Sequence, residues 1–281
     1  MLANALDMTD EEFDKFAKLI YDETGIYMKD GKIILLSNRL KKRIRALQLK
    51  GYTEYYNYLL ELKGDERDAE FDLFLDVVST HETSFFRHES SFAALSNICF
   101  QEIVGTKLMK RLRIWSAACS TGEEPYSIAM CLLERMQLFK GWSIEILATD
   151  ISVPVLEAAK KGRYLKRHID KVPDYYLNTY FSKDQEDPEG YIIRDEVKQF
   201  VKFSRLNFFA DPFPQNIDII FCRNVMIYFD KTYQERLIKK FSEIINKPGF
   251  LFLGHAETLN GISDDFKYCK LGDSPVYIPD R

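Results

Sequence analysis

At 281 residues the chain is long for one domain and comfortable for two, and its 46% hydrophobic content can fill a real core. Charged residues make up 29% and nearly balance at a net charge of −4, so no nucleic-acid or anionic-membrane partner follows from charge. The 21 Phe and 16 Tyr exclude disorder, no run approaches the roughly 20 apolar residues of a membrane span, and the acidic start MLANALDMTDEEFDKF lacks a secretory apolar core. The cysteines (Cys99, Cys119, Cys131, Cys222, Cys269) are scattered without a CxxC pair and read as reduced thiols of a cytoplasmic protein. The histidines (His81, His88, His168, His255) show no metal-ligand spacing, so no metal site is expected.

Residues 1–78 read as an all-helical N-terminal domain. Thr9 and Glu12 form a capping box, followed by an apolar stripe of Phe13, Phe16 and Ile20. A second helix over 32–48 carries Leu36, Leu40, Ile44 and Leu47, and Gly51 is expected to end it. Thr53 is read as the cap of a third helix with Tyr56, Leu59 and Leu60, and Asp65 as the opening of a fourth with Phe71, Phe74, Leu75 and Val78. Residues 79–111 are a linker and a first helix carrying TSFFR.

From 112 onward the period changes. The segments 112–118, 144–150, 201–207, 217–222 and 250–254 are short, apolar and rich in β-branched and aromatic residues. Helical stretches at 124–139, 152–161 and 231–246 separate them. The alternation predicts an α/β domain over 112–281, a parallel sheet with helices on both faces. The tail FKYCKLGDSPVYI predicts a closing hairpin, and 165–200 breaks the alternation as an insertion with a small antiparallel β element.

In doubly wound sheets ligands sit beyond the carboxyl ends of the strands. The first such edge, Ala117-Ala118-Cys119-Ser120-Thr121-Gly122-Glu123-Glu124-Pro125, holds one glycine, so it is neither a dinucleotide fingerprint nor a P-loop. Glu123 and Glu124 at a helix N-terminus disfavour a phosphate and welcome a cation, such as the sulfonium and ammonium of S-adenosylmethionine; they would equally complement the helix dipole. Asp150 ends the second strand, placed to accept from ribose hydroxyls; alternatively Asp150 or Ser152 caps the next helix. Asn207 and Asn224 follow the next two strands, where an amide suits an adenine edge or a turn. Residues 29–50 hold Lys29, Lys32, Arg39, Lys41, Lys42, Arg43, Arg45 and Lys50 against Asp30 alone, a solvated face or a docking surface for an acidic partner.

Six motifs in order, NRLKKRIRAL (38–47), TSFFRH (83–88), WSAACSTGEEPYSIAM (115–130), ATDIS (148–152), FCRNVMIYFD (221–230) and GHAE (254–257), resemble the chemotaxis receptor methyltransferases, the CheR family, across essentially the whole chain. The resemblance implies an N-terminal all-α bundle, then a Rossmann-like class I methyltransferase sheet with a β-subdomain inserted. It implies that S-adenosylmethionine is bound by Thr83, Arg87, Glu124, Asp150, Asn207, Phe208, Asn224 and Val225, and leaves as S-adenosylhomocysteine. The position two before Thr83, often Asn in similar sequences, is His81 here.

The implied activity is methyl esterification of glutamates in the cytoplasmic helical region of chemotaxis receptors. Arg87 and Tyr228 are expected at the reacting groups, and Arg39, Lys42, Arg43 and Arg45 against the receptor. A cytoplasmic monomer without nucleic acid or membrane insertion is expected. Relatives that grip a receptor peptide through the β-subdomain have a glycine-rich turn where this chain has SKDQEDPEG, so no dependence on such a tether is expected. The rival readings are an RNA methyltransferase, which would want a wider basic surface, and an inactive cofactor-binding module. The intact TSFFR, GEEPYS and CRNV segments argue against the second.

Overall fold

The computed structural model describes residues 7–29 and 31–280; residues 1–6, which open the acidic start, together with Asp30 and Arg281, lie outside the described residues. Helix α1 (Asp10–Thr24) begins with the expected capping box: the Thr9 hydroxyl accepts from the Glu12 N–H and the Glu12 carboxylate from the Thr9 N–H, at 3.2 and 3.0 Å. It packs with α2 (Ile33–Ala46), α3 (Tyr52–Glu61) and α4 (Gly64–Val78) around Phe16, Ile20, Leu40, Ile44, Tyr55, Leu59 and Phe74.

Two caps differ from expectation. Helix α2 ends earlier, the chain turning through Gln48 at φ 57°, and Gly51 stands at the start of α3 instead. Thr53 lies inside α3, where its N–H and hydroxyl donate to Glu12 at 3.2 and 2.8 Å; the same carboxyl group therefore closes one helix start and ties down another.

The basic helix is not uniformly a solvent face. Arg43 turns inward and donates from Nε and Nη2 to both oxygens of Glu70 at 3.1 and 2.6 Å, while the Tyr55 hydroxyl donates to Glu70 at 2.8 Å. The side chains of Arg43 and Glu70 are 17% and 7% exposed, so this pair is structural and Arg43 leaves the set of receptor-facing cations. Arg39 also turns in, donating to the Val78 carbonyl and, at 2.7 Å, to the Thr80 hydroxyl. Lys42 and Arg45 remain exposed. Glu70→Ala leaves a largely enclosed guanidinium without its anion and is expected to cost about 3 kcal/mol of stability. Denaturant titration would detect the loss, and cofactor affinity measured on the folded fraction should be unchanged.

Beyond the bundle an extended segment leads to α5 (Glu89–Ala94), a π-helical turn Leu95–Cys99 and α6 (Phe100–Thr106). TSFFR precedes α5 rather than lying on a helix, because Phe86 and His88 adopt φ of 50° and 61°, outside the helical region. The sheet then follows in chain order: β1 (Arg111–Ala117), α7 (Glu123–Leu133), β2 (Ser143–Asp150) and α8 (Val153–Lys161). An inserted unit comprises β3 (Arg163–Leu165), α9 (Lys166–Ile169), α10 (Asp174–Tyr180), β4 (Phe181–Lys183), β5 (Gly190–Ile193) and α11 (Asp195–Lys198). The chain resumes with β6 (Val201–Arg205), β7 (Ile217–Cys222), α12 (Lys231–Ile244) and β8 (Ile245–Leu253), and closes with the hairpin β9 (Phe266–Leu271) and β10 (Ser274–Pro279).

The strands order as β6-β2-β1-β7-β8-β10-β9, parallel except for the hairpin, and β3-β5-β4 make a separate antiparallel sheet. Alternate residues face opposite sides: Ile114, Ile146, Ile219 and Phe221 enter one core, Trp115, Ile220, Cys222 and Leu251 the other. The chain winds outward from β1 through β2 to β6 and returns to β7 on the other side of β1. The switch point therefore lies between β1 and β7. Among the described residues no helix is long and apolar enough to cross a membrane.

Candidate cofactor site

A cavity opens at that switch point, with about 210 Å³ open to the centre of a water molecule. Its floor is the loops after β1, β2, β6 and β7, and its roof comes from elsewhere: Ile26, Met28, Lys32, Leu35 and Arg39 of the bundle and the linker from Ser79 to Ser84 with Arg87. Neither part of the chain encloses it alone. The expected residues Thr83, Arg87, Glu124, Asp150, Asn207, Phe208, Asn224, Val225 and Tyr228 all line it; Lys42, Arg43 and Arg45 do not.

Only one member of the Glu pair faces the cavity. Adjacent helical residues project about 100° apart, and Glu123 is buried away from the site, accepting from the Thr121 hydroxyl at 2.7 Å. Glu124 lines the wall, accepting from Ser116 Oγ at 2.8 Å and from Arg223 Nη1 at 3.3 Å. Burial raises the Glu124 pKa against the opposing pull of Arg223. A single carboxylate therefore faces the cavity, and it is already paired with a buried arginine that sequence reading did not single out.

Asp150 is buried at the end of β2, and its oxygens accept from the backbone N–H groups of Ser120 and Ser152 at 2.8 and 3.0 Å. Burial raises its pKa, and those two N–H groups partly offset the shift. Ser152, not Asp150, caps α8 with its hydroxyl. The capping alternative thus falls to Ser152, and Asp150 stands on the cavity wall.

Asn207 takes the turn alternative and adds a tie to the bundle. Its amide donates to the Glu23 carbonyl of the bundle at 2.7 Å and accepts from the Phe209 N–H at 2.9 Å, so it closes a turn and ties two domains. Phe208 packs its ring against Trp115, Phe213 and Phe229 and walls the cavity as core. Asn224 adopts φ 60° and its Oδ1 has no partner among the described residues, the kind of orphan acceptor that a ligand's donor can satisfy.

The loop that presents Asn224 is organised by a residue with no role assigned from sequence. Glu257 accepts from the N–H groups of Gly254, Asn224, Val225 and Met226 at 2.6, 2.9, 2.9 and 2.9 Å. A Cβ on Gly254 would lie 2.6 Å from that carboxylate and 2.9 Å from the Asn224 nitrogen, so the approach needs glycine. The signal lay in GHAE, a glycine ending a strand with an acid three residues on. Arg87 donates to the Glu82 carbonyl at 3.0 Å, and its own carbonyl accepts from Arg223 at 2.5 Å. Tyr228 sits half-buried on the wall, its carbonyl accepting from the Tyr27 N–H at 2.8 Å.

A doubly wound sheet with carboxylates beyond its first two strands, no glycine-rich phosphate loop and an orphan amide acceptor fits a ribose-bearing cation. This arrangement defines the cofactor domain of an S-adenosylmethionine methyltransferase. The profile of the CheR methyltransferase SAM binding domain matches residues 81–274, and that of the CheR methyltransferase all-alpha domain matches residues 11–79. A chemotaxis protein methyltransferase of Borreliella burgdorferi is 36% identical over 262 residues, covering 91% of each chain. That of Salmonella typhimurium is 35% identical over 269 residues, covering 94% of this chain and 90% of its own.

Among solved structures, a magnesium protoporphyrin IX methyltransferase from Synechocystis PCC 6803 with bound SAM aligns over 78% of this chain and 97% of its own. Identity is 11% and the TM-score 0.37. The chain belongs to the CheR methyltransferase family; it is a chemotaxis-type methyltransferase with S-adenosylmethionine as cofactor. Glu257→Ala strands four backbone donors and is expected to weaken cofactor binding by at least about tenfold, the scale of one or two unsatisfied buried groups. Calorimetric titration would measure this, with circular dichroism showing an intact fold.

Proposed function

We propose that this chain esterifies glutamate side chains in the helical cytoplasmic region of chemotaxis receptors, working in the cytoplasm as a monomer. One observation carries the reading beyond the family: the cofactor cavity is roofed by α2, so Lys32 and Arg39 stand at the cavity while Lys42 and Arg45 stand on the exposed face of the same helix. An acidic helix attracted to that face would be brought beside the cavity entrance.

S-adenosylmethionine supplies an electrophilic methyl group and leaves as S-adenosylhomocysteine, which is expected to inhibit by occupying the same pocket. Asp150 would hold the ribose, Glu124 and Asn224 Oδ1 the cationic aminoacyl end, with Thr83 and Val225 completing the wall. The acceptor needs no general base, because an unperturbed glutamate has a pKa of about 4.3 and is ionised at neutral pH. The enzyme therefore has to orient the carboxylate and exclude water. In this reading Arg87 orients it by charge and the Tyr228 hydroxyl donates to it, which their positions on the cavity wall support. The acidic SKDQEDPEG loop, which includes the β4–β5 connection, supports catalysis without a peptide tether.

The deciding experiment incubates the protein with methyl-labelled S-adenosylmethionine and receptor-containing membranes. Base-labile label on receptor glutamates is expected; label on RNA, or none, would refute the reading. Arg87→Ala should lower kcat/KM by about a hundredfold, the scale of a lost transition-state hydrogen bond from a charged donor. Normal turnover in that variant would remove Arg87 from the mechanism. Lys42→Glu with Arg45→Glu is expected to raise KM for receptor about tenfold at low salt, an effect that salt then weakens, with cofactor affinity unchanged.

A further inference from the structure

Asp150 belongs to a closed circuit of hydrogen bonds that leaves the cavity, enters the bundle and returns. Asp150 Oδ1 accepts from the Ser152 N–H at 3.0 Å, and Ser152 Oγ donates to Asp76 Oδ1 at 2.6 Å. Asp76 stands in the last turns of α4, and its Oδ1 is 3.2 Å and its carbonyl 3.0 Å from His81 Nε2. The His81 carbonyl accepts from Ser120 Oγ at 3.2 Å, and the Ser120 N–H donates to Asp150 Oδ2 at 2.8 Å, which closes the ring. Four residues, Asp76 of α4, His81 of the linker, and Ser120 and Ser152 of two sheet-edge loops, thus fix the orientation of the Asp150 carboxylate from both of its oxygens.

We propose that Asp76 and His81 are positioning residues that hold the Asp150 carboxylate in place for the cofactor, so that seating of the helical bundle sets cofactor affinity. The proposal rests on the reading of Asp150 as a cofactor-binding residue. Asp76 and Ser152 are absent from the cavity wall, whereas His81, Ser120 and Asp150 are on it. Asp76 therefore acts on the ligand only through others. Burial works against the His81 imidazolium but is outweighed by the hydrogen bonds to Asp76, so His81 titrates above its ordinary value. Asp76 is correspondingly lowered, first by the His81 hydrogen bond.

Other ties seat the bundle without joining this ring. On the same helix, one turn earlier, Asp72 pairs with Arg205 of β6 at 3.2 Å. The Tyr21 hydroxyl donates to Asp230 at 2.7 Å. These ties keep the bundle docked when the ring is cut, and they supply the control. By linkage, if bundle seating raises cofactor affinity, the cofactor must in turn steady the end of α4.

The test is cofactor affinity of the full chain by calorimetry, with S-adenosylhomocysteine as probe. Asp76→Ala is expected to raise Kd about tenfold, the scale of one lost charge-assisted hydrogen bond. Asp76→Asn keeps an acceptor oxygen and should recover to within about threefold of the parent. Asp72→Ala should bind as the parent does, and kcat at saturating cofactor should survive in all three. Cofactor should slow amide exchange in the last turn of α4 in the parent and not in Asp76→Ala. Should Asp76→Ala fail to fold, Ser152→Ala cuts the ring at its next joint and must shift Kd in the same direction. Unchanged affinity on cutting the ring, or an equal loss in Asp72→Ala, would overturn the proposal. Asp150→Ala separates the two readings: retained affinity there removes the cofactor role of Asp150 itself, whereas loss there with a neutral Asp76→Ala sinks the circuit alone.

Discussion

Enclosed negative charge is the constraint around which this structure is arranged. Glu124, Asp150 and Glu257 gather at one end of the sheet, and a carboxylate out of water is tolerated only when hydrogen-bond donors replace the solvent. Each is answered differently. Asp150 takes two backbone N–H groups, Glu257 takes four, and Glu124 takes a hydroxyl and the Arg223 guanidinium. The loops after β1, β2, β7 and β8 must bend so that their donors converge on these oxygens. The positive φ at Ala118, Ser120, Gly122 and Asn224 records that bending. A charged crevice is the product.

The crevice would stand open if the sheet were all there was. The bundle closes it, and the contacts between them include polar ones: Asn207 to Glu23, Tyr21 to Asp230, Arg205 to Asp72, Ser152 to Asp76, with a backbone bridge between Ile26 and Phe229. The sheet-edge loops and α2 thereby line one cavity. Gly25, at the turn where α1 ends and the chain crosses towards the sheet, leaves room for the Tyr233 ring, which an added Cβ would meet at 2.9 Å.

Much of this was legible in the sequence, for identifiable reasons. Strands such as Ile217–Cys222 and helices such as α8 read correctly because periodicity and β-branching are local signals. Asp150 and Glu124 were legible because the sheet topology dictates where the first two strand ends must lie. What escaped is non-local. Nothing near Asn207 announces that Glu23, far earlier in the chain, takes its amide, and nothing near Arg223 announces Glu124. The Asp76–His81 contact crosses only five residues, yet its meaning depends on Ser152 and Ser120 meeting it from the sheet. Caps failed for a third reason: Thr53 and Gly51 each suit a helix start, and the choice between them was made by Glu12 of another helix.

The basic helix shows how finer geometry corrects composition. At about 100° per residue the apolar stripe of Leu36, Leu40, Ile44 and Leu47 has a centre from which Arg43 lies roughly 55° away, Arg39 roughly 95°, and Lys42 and Arg45 roughly 150°. A cation on the flank of a buried stripe must find an anion or a carbonyl inside the fold, and Arg43 and Arg39 do, on Glu70 and on Val78 with Thr80. A cation opposite the stripe stays in water, as Lys42 and Arg45 do. One run of like charge therefore carries three tasks, a buried strut, a brace at the cofactor cavity and an outward face. The order of those tasks around the helix follows from the angle each residue makes with the core.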